Sequence, residues 1–177
     1  MGIEEDTPYQ ESHSVKNIVL IGMPGAGKST IGVVLAKALK KKFVDMDLLI
    51  QEETGRALQE ILDTDGTVTF RKIEEDIVIS HQFQNTVIAT GGSVVLSRKA
   101  MEHLKKDAII VYLKVSLAEI ARRLVNITTR GIVLENGQTL NAVYDQRVPL
   151  YEKYADITVN CSGHDFERVV AKILNRL

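Results

Sequence analysis

Short, unbroken apolar runs alternate along this chain with longer stretches in which apolar residues recur every three or four positions. Residues 17–22 (NIVLIG) are continuous and end on glycine, the pattern of a strand buried on both faces. Residues 28–41 follow with Ile31, Val34, Leu35, Ala38 and Leu39 at helical spacing. A second short strand is predicted at 43–46. Helical segments follow at 48–53 and 57–62, broken at Gly55 and closed by a turn at Asp65-Gly66. Residues 68–83 return to helical period through Phe70, Ile73, Ile77 and Val78.

Strands are expected again at 86–90 (TVIAT), 108–114 (AIIVYLK) and 157–159. Helices are expected at 98–106 with Ser97 as N-cap, at 116–124, at 140–151 and at 166–177. Ser116 followed by Glu119 has the spacing of a capping box. Residues 126–138 show no period and read as a loop. Strands alternating with helices of this length predict a three-layer α/β/α sandwich around a five-stranded parallel sheet. With no repeat or linker in the way, residues 16–177 read as one domain with a lid at about 125–138, and residues 1–15 as a flexible leader.

The bulk properties narrow the function classes. A net charge of −1 over 177 residues argues against a nucleic-acid or anionic-membrane surface, which needs concentrated Lys and Arg. Lys37, Lys40, Lys41 and Lys42 do cluster, at a place where a helix C-terminus favours cations. The single cysteine, Cys161, can form no internal disulfide and fits a reducing cytoplasm. No apolar run reaches membrane-spanning length. A cytoplasmic monomer acting on small molecules is the expectation.

Chemistry enters at Gly22-Met23-Pro24-Gly25-Ala26-Gly27-Lys28-Ser29, which matches G-x-x-x-x-G-K-[ST]. Glycines let successive backbone N–H groups turn toward phosphate oxygens, and the helix starting near Lys28 adds its positive end. Lys28 supplies a cation for the β- and γ-phosphates, and the Ser29 hydroxyl suits a Mg²⁺ ligand. Chance produces such a match in roughly one chain in 200 of this length, and here a strand precedes the motif and a helix follows it. The loop therefore predicts ATP and Mg²⁺ binding through Gly25, Ala26, Gly27, Lys28, Ser29 and Thr30.

Other polar residues fall at strand ends, where ligands bind in open α/β sheets. Asp45 and Asp47 sit two apart, so on an extended chain both can face a cleft. One could hold Mg²⁺ and the other accept a proton from an attacking hydroxyl, while an N-cap role for one of them stays open. Gly91-Gly92 could bring backbone N–H groups close to a ligand. Arg71, with Glu74 one turn on, has the spacing of an ordinary surface pair.

Taken together these segments resemble the shikimate kinase family. The likeness runs from Ile18 to Cys161 through GMPGAGKSTIG (22–32), FVDMD (43–47), TG (54–55), FRKIEED (70–76), ATGGS (89–93), IVYL (110–113), Arg130 and RVPLYEKYAD (147–156). The resemblance implies a P-loop fold like that of nucleoside-monophosphate kinases. It also implies ATP-dependent phosphorylation of a shikimate hydroxyl, a step toward chorismate and the aromatic amino acids. On it, Lys28 binds phosphates, Ser29 ligates Mg²⁺ with Asp45 assisting, and Asp47 holds the attacking hydroxyl as base. Arg71 and Arg147 clamp the carboxylate, Gly91 and Gly92 touch substrate through backbone, and Arg130 reaches the ATP phosphates from the lid.

Three positions depart from the family pattern. Ser93 stands where a third glycine is usual, Thr67 where Glu is usual, and Gly131 follows Arg130 where Pro is usual. A related kinase of another hydroxy acid, such as a gluconate-type sugar acid, is the alternative, and Arg71 and Arg147 argue for a carboxylate in either case. A nucleoside-monophosphate acceptor fits less well, since the chain has no Trp and 5% aromatics from which to build a base pocket. A regulatory nucleotide switch would leave Asp47, Arg71 and Arg147 unexplained.

Overall fold

The computed structural model describes residues 16–125 and 138–177. The leader (1–15) and the greater part of the expected lid, Arg130 included, lie outside the described residues.

Strands β1 (Asn17–Ile21), β2 (Lys42–Asp45), β3 (Thr86–Ala89), β4 (Ala108–Lys114) and β5 (Ile157–Asn160) form one five-stranded sheet in the order β2-β3-β1-β4-β5. Every pairing is parallel; Ile18 lies opposite Val87 on one side and Ile109 on the other. All residues of β1 and β3 are buried, as expected of central strands covered on both faces. The sheet and the three-layer architecture are those the alternating pattern predicts.

The helices are α1 (Lys28–Leu39), α2 (Met46–Thr54), α3 (Leu58–Ser80), α4 (Arg98–Lys105), α5 (Leu117–Val125), α6 (Leu140–Tyr154) and α7 (Phe166–Leu174). Asp65-Gly66 makes no chain reversal. Gly66 (φ 82°, ψ 170°) kinks α3, which continues through both predicted helical segments. A 3₁₀ turn at Val94–Leu96 follows the glycine pair and carried no period long enough to predict it.

Helix α1 buries Ile31 and Leu35 and packs Leu39 against the core as its spacing suggests, but the buried row is rotated away from Val34 and Ala38. Ile31, Gly32, Leu35 and Ala36 point inward, whereas Val34 is 40% exposed and Ala38 lies in solvent. Gly32 decides the rotation, because a Cβ there would stand 2.5 Å from Cε2 of Phe43 on β2. With Val33, Val34 and Ala38 all apolar, periodicity alone could not choose this row. The lysine cluster does sit at the C-terminus of α1, with Lys37 in the last turn and Lys40 as C-cap.

Caps largely follow the sequence. Ser97 Oγ accepts from Ala100 N at 3.0 Å. Only half of the capping box at α5 forms: Ser116 Oγ accepts from Glu119 N at 3.4 Å. The Glu119 carboxylate turns away to Arg123 and to the Gly163 amide, and Ser116 N donates instead to Ser162 Oγ. Helix α6 runs on to Tyr154, three residues past its predicted end.

Candidate active site

Strand β1 has β3 on one flank and β4 on the other, so connections leave it in both directions and a crevice opens at its C-terminal end. The glycine-rich loop fills that position. Gly27, the N-cap of α1, has φ 93°, and a Cβ there would lie 3.0 Å from Cε1 of Phe166. Both facts call for glycine. Lys28 is buried, and its Nζ donates to the carbonyls of Gly22 at 2.8 Å and Met23 at 2.9 Å. The ammonium is thus held inside the loop.

One cleft gathers Pro24, Gly25, Gly27, Lys28 and Ser29 with Asp47, Glu74, Gly91, Gly92, Ser93 and Arg147. Most of the expected site residues therefore meet in space. Ala26 is fully buried and spends its amide on Met23 O at 3.1 Å, while Thr30 is exposed; neither lines the cleft. Arg71, half-buried on α3, is not among the lining residues but interacts electrostatically with Glu74.

Asp45 and Asp47 do not lie side by side on an extended strand. Asp45 is the N-cap of α2, its Oδ1 accepting from Asp47 N at 3.0 Å. Asp47 is in the first helical turn and reaches the cleft from there. The spacing was right and the backbone was not: the chain turns into α2 directly at the end of β2.

The glycine pair closes the cleft floor. Thr90 ties it to β1, with backbone N and Oγ1 both donating to Leu20 O. Tyr151 on α6 donates to Gly92 O at 2.6 Å and stacks on Tyr112, ring centroids 5.1 Å apart. Arg147 is four residues earlier on α6, hence on the same face, and is 2% exposed.

Three contributors were missed. Glu74, read as half of a surface pair, is fully enclosed and central. Its signal was the helical row of Phe70, Ile73 and Ile77 beside it, but helical period alone could not separate it from Glu75. Burial pushes its carboxyl up to about 7; the hydrogen bond from Ser93 and the charges of Arg147 and Arg71 pull the other way. Arg123 on α5 donates to Gly25 O at 3.0 Å and Ala26 O at 3.3 Å, bracing the phosphate loop from outside the motif. Phe166, 44% exposed, presents an aromatic face beside Gly27 although the sequence offered few aromatics.

The shifted carboxyl has a stability consequence. Its folded value lies above the 4.5 of a free carboxyl, so folding favours the protonated form. The contribution is complete below about pH 4.5 and is lost as pH rises toward about 7. The loss is on the order of 3 kcal/mol for a fully buried group. Urea unfolding at pH 5 and pH 8 should show it, and Glu74→Gln should remove most of the difference between the two curves.

The parallel order β2-β3-β1-β4-β5, with a lysine-bearing phosphate loop at its switch point, defines a P-loop small-molecule kinase. The family model for shikimate kinase matches residues 24–177, and the chain belongs to that family. It is 40% identical over 163 residues to a shikimate kinase of Thermodesulfovibrio yellowstonii, covering 90% of this chain and 94% of the relative. It is also 40% identical over 162 residues to a shikimate kinase of Mycobacterium avium, covering 90% and 92%. Among solved structures, shikimate kinase from Acinetobacter baumannii in complex with shikimate superposes with a TM-score of 0.83 at 30% identity, covering 92% of this chain and 93% of that one. A gluconokinase from Sinorhizobium meliloti has a TM-score of 0.58 at 18% identity over 92% and 91%, a likeness of fold alone.

Proposed function

We propose that this kinase transfers the γ-phosphoryl group of ATP to a ring hydroxyl of shikimate, giving shikimate 3-phosphate and ADP. The supporting observation is the convergence, in one cleft, of the phosphate loop with Asp47, the Gly91-Gly92 floor and buried Arg147.

On this reading the loop amides and Lys28 hold the phosphates, with Arg123 keeping the loop in shape. Asp47 accepts the hydroxyl proton as that oxygen attacks the γ-phosphorus and the bond to the β–γ bridging oxygen breaks. Arg147 and Arg71 hold the carboxylate, a task suited to guanidinium forks. Gly91 and Gly92 offer backbone to the substrate; Arg130, for which the family resemblance implies a phosphate contact, lies outside the described residues.

Among the described residues no three His, Cys, Asp or Glu side chains converge as a metal cage. The donors proposed for it, the Ser29 hydroxyl in the cleft and the Asp45 carboxylate that caps α2 outside the cleft lining, are hard oxygens. They fit Mg²⁺, which keeps water and phosphate oxygens as most of its ligands. When bound there it would neutralise charge on the phosphates. Asp45 keeps one oxygen beyond its capping bond for a water of that shell.

We read the protein as a cytoplasmic monomer. No helix among the described residues is long and apolar enough to cross a membrane, and the one thiol, Cys161, is buried, which raises its pKa to about 11. A protected thiol of this kind fits a reducing compartment.

A coupled ADP-release assay with shikimate, gluconate and nucleoside monophosphates tests the reading. Shikimate should give the highest kcat/KM, and preference for another acceptor would replace the substrate assignment. Gly91→Ala supplies a geometric check. A Cβ there would collide with Glu74 Oε1 and stand 3.2 Å from Asp47 Oδ1. The KM for shikimate should rise at least about tenfold while that for ATP stays within about twofold, as one displaced site hydrogen bond implies.

A further inference from the structure

We infer that Ser93 is a positioning residue for the acceptor substrate: its hydroxyl turns Glu74 so that one carboxylate oxygen faces the cleft to receive a substrate hydroxyl. Ser93 is 3% exposed, and its Oγ donates to Glu74 Oε2 at 2.7 Å. That bond occupies one oxygen and orients the other. Glu74 Oε1 is buried with no hydrogen-bond partner among the described residues. It lies over Gly91, and Asp47 Oδ1 lies over the same glycine. Two carboxylate oxygens from α3 and α2 thus converge on one point of the cleft floor, and only one of them belongs to the proposed base.

A buried acceptor left unpaired is costly, so a ligand that donates to it gains affinity. The ligand must be a donor at this point. A polyhydroxylated acid qualifies: while one hydroxyl reacts at Asp47, a neighbouring hydroxyl donates to Glu74 Oε1. The charged and titratable groups around Glu74 are Asp47 on α2, Arg71 on α3 itself, and Arg147 and Tyr151 on α6. Burial and Asp47 favour the protonated form; the hydrogen bond from Ser93, with Arg147 and Arg71, favours the ionised form that accepts.

The inference rests on the reading of the cleft as a site for a hydroxylated carboxylic acid. Ser93 has φ −90° and ψ −11°, which alanine adopts without strain, so Ser93→Ala should fold. Steady-state kinetics of wild type, Ser93→Ala and Ser93→Thr are compared with shikimate and ATP varied separately, from pH 6 to pH 9. In Ser93→Ala the KM for shikimate should rise about tenfold with the KM for ATP within about twofold. The rising limb of kcat/KM for shikimate should move to higher pH, since the lost hydroxyl stabilised the ionised carboxylate. Ser93→Thr, which keeps the hydroxyl, should restore both.

A Ser93→Ala enzyme with unchanged KM for shikimate and a superimposable pH profile overturns the inference, as does an equal rise in both KM values. Should Ser93→Ala prove insoluble, Ser93→Gly is read by the same criteria. A wild-type enzyme inactive on shikimate but active on another acid sinks the substrate assignment alone, and the three proteins are then compared on that acid.

Discussion

Lys28→Ala should lower turnover with shikimate and saturating ATP by about a thousandfold in an ADP-release assay, the scale reached when a preorganised charge is lost from a transition state. The structure shows how closely this ammonium is committed to the loop. Lys28 is buried, and its ammonium is held by the Gly22 and Met23 carbonyls at the point where the phosphates must lie. Charge on the transferring group and leaving oxygen grows during the reaction, so the lysine acts more strongly on the transition state than on bound ATP. Among the described residues, a second cation at the loop, Arg123, is committed to loop carbonyls and to Glu119. Arg147, which lines the same cleft, interacts with Glu74 and Tyr151. Turnover within about tenfold of wild type would contradict the assignment of the loop.

Arg147→Ala should raise the KM for shikimate by about a hundredfold and change the KM for ATP by less than about threefold, the cost expected of losing a charge-assisted, two-pronged contact. An equal collapse in ATP affinity would remove the clamp role. The substitution should also destabilise the fold. Arg147 is 2% exposed, and its charge helps to hold Glu74 ionised in a buried setting. Taking it away leaves a carboxylate enclosed beside Asp47 with less compensation. A loss of about 2 kcal/mol, or roughly 4–8 °C in Tm, is the expected scale. Because the added carboxyl proton relieves that repulsion, the Tm loss should be smaller at pH 5 than at pH 8. Calorimetry at both values separates the structural part from the binding part.

The parts of the site that were legible in the sequence are local. The phosphate loop is eight consecutive residues whose geometry is set by its own glycines and the helix it opens, so a linear motif carries it. Strand β4 came out at its observed limits because seven apolar and flanking residues leave no competing period. Asp47 was singled out by its place at a strand end and Arg147 by the family resemblance, and the fold brings both into the cleft. Where the reading failed, the missing information was tertiary. The buried row of α1 depends on Gly32 meeting Phe43, a contact between elements that no periodicity contains. The pair Asp45 and Asp47 was assigned a strand geometry because two-residue spacing looks alike whether or not a helix begins between them. Half of the predicted capping box at Glu119 was displaced by Arg123 and by the distant Gly163 amide.

From its residues alone, then, this chain determined a parallel α/β fold, a nucleotide-phosphate loop and its family. Apolar alternation and a contiguous glycine motif are short-range properties that survive in one dimension. Only the tertiary structure decided that Glu74 is a buried site carboxyl and not a solvated neighbour of Glu75. Residues 47, 74, 91, 93 and 147 come together because the sheet places β3 between β2 and β1, and because α6 packs against the turn that follows β3. The electrostatics of the site follow from that enclosure, since a charge costs what its surroundings make it cost.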